Sequence, residues 1–318
     1  MHLIGDIGGT KTHLALVEGE NIVKDQKFPS SDYPNLALII EEFLRGGNRQ
    51  IAKACFGIAG PVRDGRCQAT NLPWIVDSKE LSDKLTIPHV YLINDLEANA
   101  WGLKALTADK LYVLNPGNPS TRGNQALISA GTGLGEAGIY FDGKNHAPFA
   151  TEGGHADFAP RSDLEVELFV YLRKKFGHVS YERVLSGPGL ANIYHFLVDT
   201  KKMENHLDQK IDEALLPRHI SDKGLSGECL VCKRALEIFI SLYGAETGNL
   251  ALKTLSLGGI FVGGGIAPKI LPLLKKGDFM NAYQDKGRFS ELLMTIPVKI
   301  VLEEQTALLG AKYYLSVV

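Results

Sequence analysis

Asp95 is a carboxylate at a point in the sequence where α/β proteins carry out chemistry. It follows the apolar segment VYLIN and opens DLEANAWGLKAL, whose pattern predicts a helix. A carboxylate at a strand-to-helix junction faces the crevice in which such proteins bind ligands, and the helix dipole keeps it ionised and ready to accept a proton. The same letters fit a capping box, with Asn94 as N-cap and Glu97 at the third helical position. This segment alone favours the capping role for Asp95, and the two roles are compatible.

Two glycine- and threonine-rich turns have the chemistry to hold phosphate. The first, GDIGGTKT at residues 5–12, differs by one letter from the P-loop pattern G-x-x-x-x-G-K-[ST], because Thr10 replaces its second glycine. A P-loop also needs a helix after the loop, whereas HLALVEG alternates like a strand and stops at Gly19. The sequence therefore predicts a hairpin over residues 3–17 and not a P-loop. AGTGLG, at residues 130–135, lies between ALIS and EAGIYF in the same kind of context, which suggests two related halves that face one ligand.

Threonine hydroxyls and backbone amides in these turns can bind phosphate oxygens without steric conflict. Thr10 and Thr12 belong to the first turn, and Thr132 belongs to the second. Taken singly, either turn is more often structural than functional. Asp6 adds a signal, because a carboxylate at the end of an apolar strand needs a partner, and a hydrated Mg²⁺ would supply one.

The segment TEGGHADFAP brings Glu152, His155 and Asp157 together beside a Gly-Gly turn. A Glu-x-x-His pair can ligate a metal, but the sequence has no second ligand set of matching spacing. A carboxylate and an imidazole on a tight loop can instead bind the hydroxyls of a sugar, although a lone histidine there is more often structural. Further along, SYERVLSGPGL places Glu182 in the first turn of a helix, where the helix dipole alone accounts for a carboxylate.

The elements that must hold these groups mix strands and helices through the whole sequence. Helical patterns cover YPNLALIIEEFL, SDLEVELFVYLRKKFG and a long stretch from about residue 228 to 255, while ACFGIAGPV and PVKIVLE predict strands. IFVGGGIAPKILPLL is a third glycine-rich turn, which leads from a strand into a helix. We therefore predict an α/β protein. Cys229 and Cys232, in the long helical stretch, are predicted to be two buried thiols on one helix face.

Composition and charge limit the classes of function. The 318 residues carry a net charge of −2 and are 45% hydrophobic, which favours a globular protein of two lobes without a basic face for nucleic acid. No apolar run is long enough for a membrane span, and the opening MHLIGDIGG predicts a strand and not a leader peptide. We expect a cytoplasmic protein that binds a small molecule, with no nucleic-acid or membrane partner.

Taken in order, GDIGGT, LINDLEANA, SAGTGLG, TEGGHADFAP, ERVLSGPG and IFVGGGIAP strongly resemble the motifs of bacterial glucokinases outside the repressor/kinase (ROK) group. These enzymes belong to the hexokinase branch of the actin-like ATPase fold. That fold is α/β, has two lobes and is related to ribonuclease H. The resemblance covers nearly the whole chain. It implies a small lobe of residues 1–105 plus about 296–318, a larger lobe of residues 106–295, and a homodimer.

The resemblance also implies an activity and a role for each motif. The reaction is transfer of the γ-phosphoryl group of ATP to the 6-hydroxyl of D-glucose, the first step of glycolysis, with Mg²⁺ present and Asp95 as the catalytic base. The implied sugar-binding residues are Asn94, Asp95, Glu152, His155 and Glu182. The implied nucleotide-binding residues are Asp6 (near Mg²⁺, through water), Gly8, Gly9, Thr10, Lys11, Gly131, Thr132, Gly133, Gly263, Gly264 and Gly265.

The sequence departs from the family pattern directly after the first turn. Bacterial relatives often continue GGT as N-x-R, whereas this chain continues as Lys11-Thr12-His13, which keeps a cation but not the asparagine amide. The cysteine-rich zinc motif of the ROK kinases is absent, so we expect no structural zinc. Two other classes stay open: a sugar-independent phosphatase or ATPase of the same fold, and a sugar-sensing regulator. The regulator would need a DNA-binding module, for which a phosphate turn at residue 5 leaves no room before it.

Overall fold

A computed structural model describes residues 1–47, 50–204, 207 and 211–318. The chain divides into two compact units. The first unit contains Met1–Ala108, Ala147–Ala150 and Glu303–Val318, and the second contains Asp109–His146 and Thr151–Leu302. The lobe boundaries predicted from the sequence, residues 1–105 plus about 296–318 and residues 106–295, stay a prediction.

The strands of the described residues are β1 (His2–Ile7), β2 (Lys11–Glu18), β3 (Asn21–Pro29), β4 (Lys53–Ile58), β5 (Val62–Arg63), β6 (Arg66–Gln68), β7 (Ile75–Asp77), β8 (His89–Asn94), β9 (Leu111–Asn115), β10 (Gln125–Ala130), β11 (Leu134–Phe141), β12 (His146–Ala150), β13 (Gly259–Gly263) and β14 (Val298–Val301). The helices are α1 (Leu36–Leu44), α2 (Ser78–Leu85), α3 (Asp95–Gly102), α4 (Asp163–Phe176), α5 (Gly187–Asp199), α6 (Leu216–Ser226), α7 (Leu230–Thr254), α8 (Leu271–Leu274), α9 (Asp278–Gln284), α10 (Ser290–Met294) and α11 (Thr306–Val317). Among them, none combines the length and the apolar character that a membrane span requires.

The main sheet of the first unit has the strand order β3-β2-β1-β4-β8. β1 is antiparallel to β2 and parallel to β4, which is in turn parallel to β8. The predicted hairpin is confirmed, because β2 begins at Lys11, directly after the glycine turn, where a P-loop would start a helix. The carboxyl ends of β1, β4 and β8 meet at one edge of this sheet, and ligands bind at such edges in α/β proteins.

Alternation along these strands gives the first unit a core on each face of its sheet. Leu3 and Leu16 pack with the apolar side of α1 on one face. Ile4 and Ala15 pack with α3 and α11 on the other. The strand that carries Asp6 is therefore fixed from both sides.

Two glycines allow α3, the helix that begins at Asp95, to pack directly on α11. A Cβ on Gly310 would lie 1.7 Å from the carbonyl oxygen of Ala98, and one on Gly102 would lie 1.9 Å from that of Thr306. The two helix backbones are thus in contact, which leaves no room for any side chain at either position.

We expect Gly310→Ala to lower the free energy of unfolding by about 3 kcal/mol, the upper part of the range for overpacked sites, because backbone atoms must move to admit the methyl group. Urea unfolding followed by circular dichroism measures the change. Ser316→Ala, at an exposed position of the same helix, should change stability by no more than about 0.5 kcal/mol. Equal unfolding midpoints for Gly310→Ala and wild type would show that α3 and α11 are not in backbone contact.

The main sheet of the second unit contains β11, β10, β13, β14 and β9 in that order. β10 is antiparallel to β11 and parallel to β13, which is parallel to β14. A hairpin followed by two parallel strands is also the arrangement of β2, β1, β4 and β8 in the first unit. This repetition agrees with the prediction of two related halves. The long predicted helix is α7, whose 25 residues pack against the sheet of the second unit.

Three local predictions need correction. Cys229 and Cys232 are joined by a disulfide across the first turn of α7, so the prediction of two thiols is wrong. Cys229 is the N-cap of α7, and this brings its sulfur over the first turn. Glu182 lies in a single 3-10 turn, Tyr181–Arg183, and not in an α-helix. The third glycine turn does follow a strand, but its helix begins only at Leu271 and is four residues long.

Candidate active site

The first glycine turn presents backbone amides and a cation at the edge of its sheet. The Gly8 N–H donates to the Lys11 carbonyl at 3.0 Å and closes the turn. A Cβ on Gly9 would lie 2.5 Å from the Cβ of Asn71, so only glycine fits there. Thr10 and Lys11 are exposed, as groups that meet a ligand must be.

Thr12 faces the interior. Its side chain is fully buried, and its Oγ1 lies 3.0 Å from the Oγ of Ser30. The Ser30 hydroxyl donates to the Gly8 carbonyl at 2.8 Å, and the Ser30 N–H donates to the Thr10 carbonyl at 3.0 Å. The prediction that the Thr12 hydroxyl binds phosphate is therefore wrong. Thr12 and Ser30 brace the turn instead, and no local signal pointed to Ser30.

Asp6 is the penultimate residue of β1, next to this turn, and its charged form is destabilised by burial. Burial raises its pKa, and the charges of His13 and Lys11 oppose the rise. His13 is itself buried, with its Nε2 2.8 Å from the Oδ2 of Asp25. Two basic side chains, Lys11 and His13, thus lie near Asp6, although the chain lacks the family's N-x-R continuation. A carboxylate whose desolvation is incompletely offset fits a nearby divalent cation.

Asn94 caps α3 as the sequence predicts. Its Oδ1 accepts from the N–H groups of Leu96 at 2.9 Å and Glu97 at 3.2 Å, and the Glu97 carboxylate accepts from the Asn94 N–H. The Asn94 Nδ2 donates to the Gly60 carbonyl at 3.1 Å. The amide therefore has one hydrogen left for a ligand.

Asp95 is the first residue of α3 and is partly buried. Its Oδ1 accepts from the Leu96 N–H at 2.9 Å, so the carboxylate is oriented by its own helix. In the strand register Asp6 lies beside Gly57 of β4, and Ile58 lies beside Asn94 of β8. Gly57 lies beside Ile93 of β8, so Asp6 is two strand spacings, about 10 Å, from a residue two positions before Asp95, and both carboxylates lie at the same sheet edge. This edge combines a carboxylate with the turn that the sequence predicts to bind phosphate.

The second glycine turn, in the second unit, is held by Glu182. The Glu182 Oε2 accepts from the Leu134 N–H at 3.0 Å, and a Cβ on Gly133 would lie 2.5 Å from that oxygen. The Gly131 N–H donates to the Gly133 carbonyl at 2.8 Å, while Thr132 is exposed at the tip. The geometry thus gives Glu182 a partner that the sequence did not suggest.

The third glycine turn lies against the second. Gly264 has a φ of 82°, and a Cβ there would lie 2.3 Å from the Ala130 carbonyl oxygen. The Ile266 N–H donates to the same carbonyl at 3.3 Å. Gly263 ends β13, and a Cβ on Gly265 would meet open space. The ends of β10 and β13 therefore present two glycine turns side by side.

Tyr243 of α7 joins these two turns through one buried hydroxyl. The Ala130 N–H donates to the hydroxyl oxygen at 3.2 Å, and the hydroxyl donates to the Gly263 carbonyl at 3.2 Å. A tyrosine in the middle of a long buried helix looks like an ordinary core residue, so this role could not be predicted from the sequence.

For the substrates that the resemblance implies, we expect Tyr243→Phe to raise the KM for ATP several-fold and to leave the KM for glucose unchanged. The substitution leaves a buried N–H and a buried carbonyl unpaired, at about 1–3 kcal/mol each. Initial rates with either substrate varied measure both constants. Tyr283→Phe is the matched control, since that buried hydroxyl has no partner within the described residues. If the two substitutions have equal effects, the Tyr243 hydroxyl has no specific role in positioning the glycine turns.

Glu152 precedes a single 3-10 turn, Gly153–His155, in the second unit, and His155 is the last residue of that turn. The Glu152 Oε2 lies 4.0 Å from the His155 Nε2, and about half of each side chain is exposed, 56% and 54%. Asp157 is directed elsewhere, with its Oδ1 2.8 Å from the Nε2 of His178. The turn thus presents one carboxylate and one imidazole to solvent.

The metal interpretation of this pair has no further ligand to support it. A search of the described residues finds no group of three or more His, Cys, Asp or Glu side chains that could hold a metal ion. A carboxylate and an imidazole at this distance can still accept and donate hydrogen bonds to neighbouring hydroxyls of one sugar.

Comparison with known proteins decides the family. The family model for glucokinases matches residues 3–317. The chain belongs to the glucokinase family. It is 42% identical to a glucokinase of Synechocystis, with 97% of this chain and 96% of that protein covered, and 41% identical to one of Nostoc punctiforme, with 97% of each covered. The solved glucokinase of an Antarctic psychrotroph superposes with a TM-score of 0.85 at 31% identity, over 100% of this chain and 99% of that one.

Glucokinase family membership confirms three predictions made from the sequence: the family, the two-lobed α/β actin-like ATPase fold, and an ATP-dependent glucose kinase. The roles of the individual residues in each glucokinase motif stay predictions, which the geometry above supports to different degrees.

Proposed function

We propose that this chain transfers the γ-phosphoryl group of ATP to the 6-hydroxyl of D-glucose and uses Asp95 as the general base. The observation that carries the proposal is the sheet edge of the first unit, where Asp95 opens α3 beside the glycine turn of residues 8–10. A kinase needs a proton acceptor for the attacking hydroxyl and donors for the phosphates, and this edge has both.

The proposed reaction forms one bond to phosphorus, breaks another and moves one proton. The 6-hydroxyl oxygen of glucose forms a bond to the γ-phosphorus of ATP while its proton moves to the Asp95 carboxylate. The bond between the γ-phosphorus and its bridging oxygen breaks, and ADP leaves. Because the transition state is loose, positioning and neutralisation of charge account for most of the acceleration.

We propose these ligand roles for the other residues that the sequence singles out. Glu152 and His155 bind sugar hydroxyls, with Asn94 supplying its remaining amide hydrogen. Glu182 accepts a hydrogen bond from a sugar hydroxyl at its Oε1. Its Oε2 at the same time holds the second glycine turn. The glycine turns bind the triphosphate through backbone N–H groups, and the third turn binds the adenosine.

Asp6 would hold Mg²⁺ through water, and the raised pKa of that carboxyl supports the assignment. When bound, Mg²⁺ neutralises charge on the β- and γ-phosphates. Lys11 adds a second positive charge at the same turn.

We also propose that the protein is a homodimer, which analytical ultracentrifugation would test, and that it acts in the cytoplasm.

A screen of phosphoryl donors against sugars tests the function. Purified protein would be supplied with ATP, ADP or polyphosphate, each with glucose, mannose, fructose or no sugar, and both products would be measured. We expect ATP with glucose to give the highest kcat/KM. Nucleotide turnover that does not need sugar would instead identify a phosphatase or ATPase of the same fold.

A further inference from the structure

Glu136 is a buried carboxyl directly beneath the turn that carries Glu152 and His155. It belongs to β11 and is 2% exposed. A Cβ on Gly153 would lie 2.1 Å from the Glu136 Oε2, so this side chain forms the floor of the turn. Gly154 sits as closely on the same strand, because a Cβ there would lie 2.0 Å from the Leu134 carbonyl oxygen.

Thr151 ties the beginning of the turn to the same strand. Its Oγ1 donates to the Glu136 carbonyl at 2.9 Å and accepts from the Gly153 N–H at 3.2 Å. The turn therefore rests on Glu136 through both the backbone and the side chain of that residue. A change in either alters the support of Glu152 and His155.

A second buried carboxyl faces Glu136. Glu246 of α7 is fully buried and lies near enough to Glu136 for its charge to act on that carboxyl. Glu246 already accepts from the Lys253 Nζ at 3.0 Å and the Asn249 Nδ2 at 2.6 Å. The Glu136 Oε1, by contrast, has no hydrogen-bond partner within the described residues, so Glu136 is the carboxyl that is better neutral.

We propose that Glu136 acts as a neutral carboxylic acid that positions the Glu152–His155 turn for sugar binding. It is a positioning residue, and the inference rests on the proposed sugar role of Glu152 and His155. Loss of its proton would put a second negative charge beside Glu246 and against Gly153, in the buried interior of the unit. The turn would then move away from its sugar-binding position.

Burial and the charge of Glu246 raise the pKa of Glu136 to about 8, and Lys253 opposes the rise. Other titratable groups also face this cluster. Tyr243 lies near Glu136, while Tyr181 and Lys286 lie near Glu246. Burial raises the pKa values of both tyrosines and lowers that of Lys286, so only Lys286 can add to a change in the alkaline range.

The test is the pH profile of the glucose and ATP KM values between pH 6.5 and 9.5. In the wild type we expect the glucose KM to rise several-fold as the pH passes about 8, while the ATP KM stays level. Glu136→Gln keeps the shape of the side chain but cannot ionise. Its glucose KM should equal the wild-type value at pH 7 and remain flat, and Glu136→Ala should raise the glucose KM at every pH.

Glu165→Gln is the matched control, because Glu165 is a buried carboxylate of the same unit that pairs with Arg161. It should keep the wild-type profile. An alkaline rise that survives Glu136→Gln would assign the effect to Lys286 or another group and overturn the proposal, as would a flat wild-type profile. If Glu152→Gln leaves the glucose KM unchanged, the proposed sugar site has failed. If Glu152→Gln raises it while both Glu136 variants behave like the wild type, only the positioning role has failed.

Stability supplies a readout that does not depend on activity. The folded chain holds the Glu136 proton more tightly than the unfolded chain does, so this carboxyl lowers stability progressively as the pH rises from about 4.5 towards 8. The Tm of Glu136→Gln should therefore exceed that of the wild type at pH 8 by more than it does at pH 5. A constant difference would contradict a neutral Glu136.

Discussion

Asp95→Asn is expected to lower kcat for glucose phosphorylation by roughly 10²–10⁴, the usual contribution of a positioned base. The amide oxygen can still accept the Leu96 N–H that now reaches Asp95 Oδ1. It cannot take the proton of the 6-hydroxyl. Stability should change by no more than about 1 kcal/mol, because asparagine suits a helix N-terminus. Glucose affinity should fall less than kcat, since the amide can still hydrogen-bond the hydroxyl.

Glu97→Gln is the matched control for Asp95→Asn. It removes a carboxylate from the same helical turn and keeps the oxygen that accepts the Asn94 N–H. Steady-state kinetics, glucose titration and melting temperature on the two variants separate the roles. If Asp95 only stabilises the first turn of α3, both variants will keep kcat within a few-fold of the wild type, and the assignment of the base would be wrong.

Glu152→Gln is expected to raise the KM for glucose roughly 10- to 100-fold. Charge-assisted hydrogen bonds contribute about 1.5–3 kcal/mol, and each 1.4 kcal/mol is a factor of ten in affinity. The ATP KM should hardly change, because the glycine turns are separate from this pair. Glucose titration by isothermal calorimetry measures the affinity without turnover.

Asp157→Asn is the control for Glu152→Gln, since Asp157 belongs to the same segment and pairs with His178 at the surface. It should leave both KM values within two-fold of the wild type. Zinc bound in a 1:1 ratio to the purified protein, and lost in His155→Ala, would favour a metal role for Glu152 and His155 over a sugar role.

Local patterns predicted the parts of this fold that depend on local chemistry. Alternation after Lys11 excluded a P-loop, and the β1–β2 hairpin is present. The Asn94–Glu97 spacing predicted a capping box, and both of its hydrogen bonds form. These features depend on residues within a few positions of one another, so the sequence alone contained the information.

Such local patterns could not predict contacts between residues that are far apart in the sequence. Thr12 pairs with Ser30, 18 positions away, and a strand's outline does not say which neighbour its inward hydroxyl will meet. Glu136 alternates with apolar residues in EAGIYF and looks like a solvent-facing strand position, yet α7 covers it. Tyr243 gave no sign that its hydroxyl joins two glycine turns.

Phosphorus NMR of the wild-type protein with ATP and equimolar glucose tests the central claim most directly. Because the proposed site gives the γ-phosphoryl group to a sugar oxygen, the signal of glucose 6-phosphate should grow in step with that of ADP. Omitting glucose should stop both. Inorganic phosphate in place of glucose 6-phosphate, formed at the same rate with and without glucose, would contradict the account.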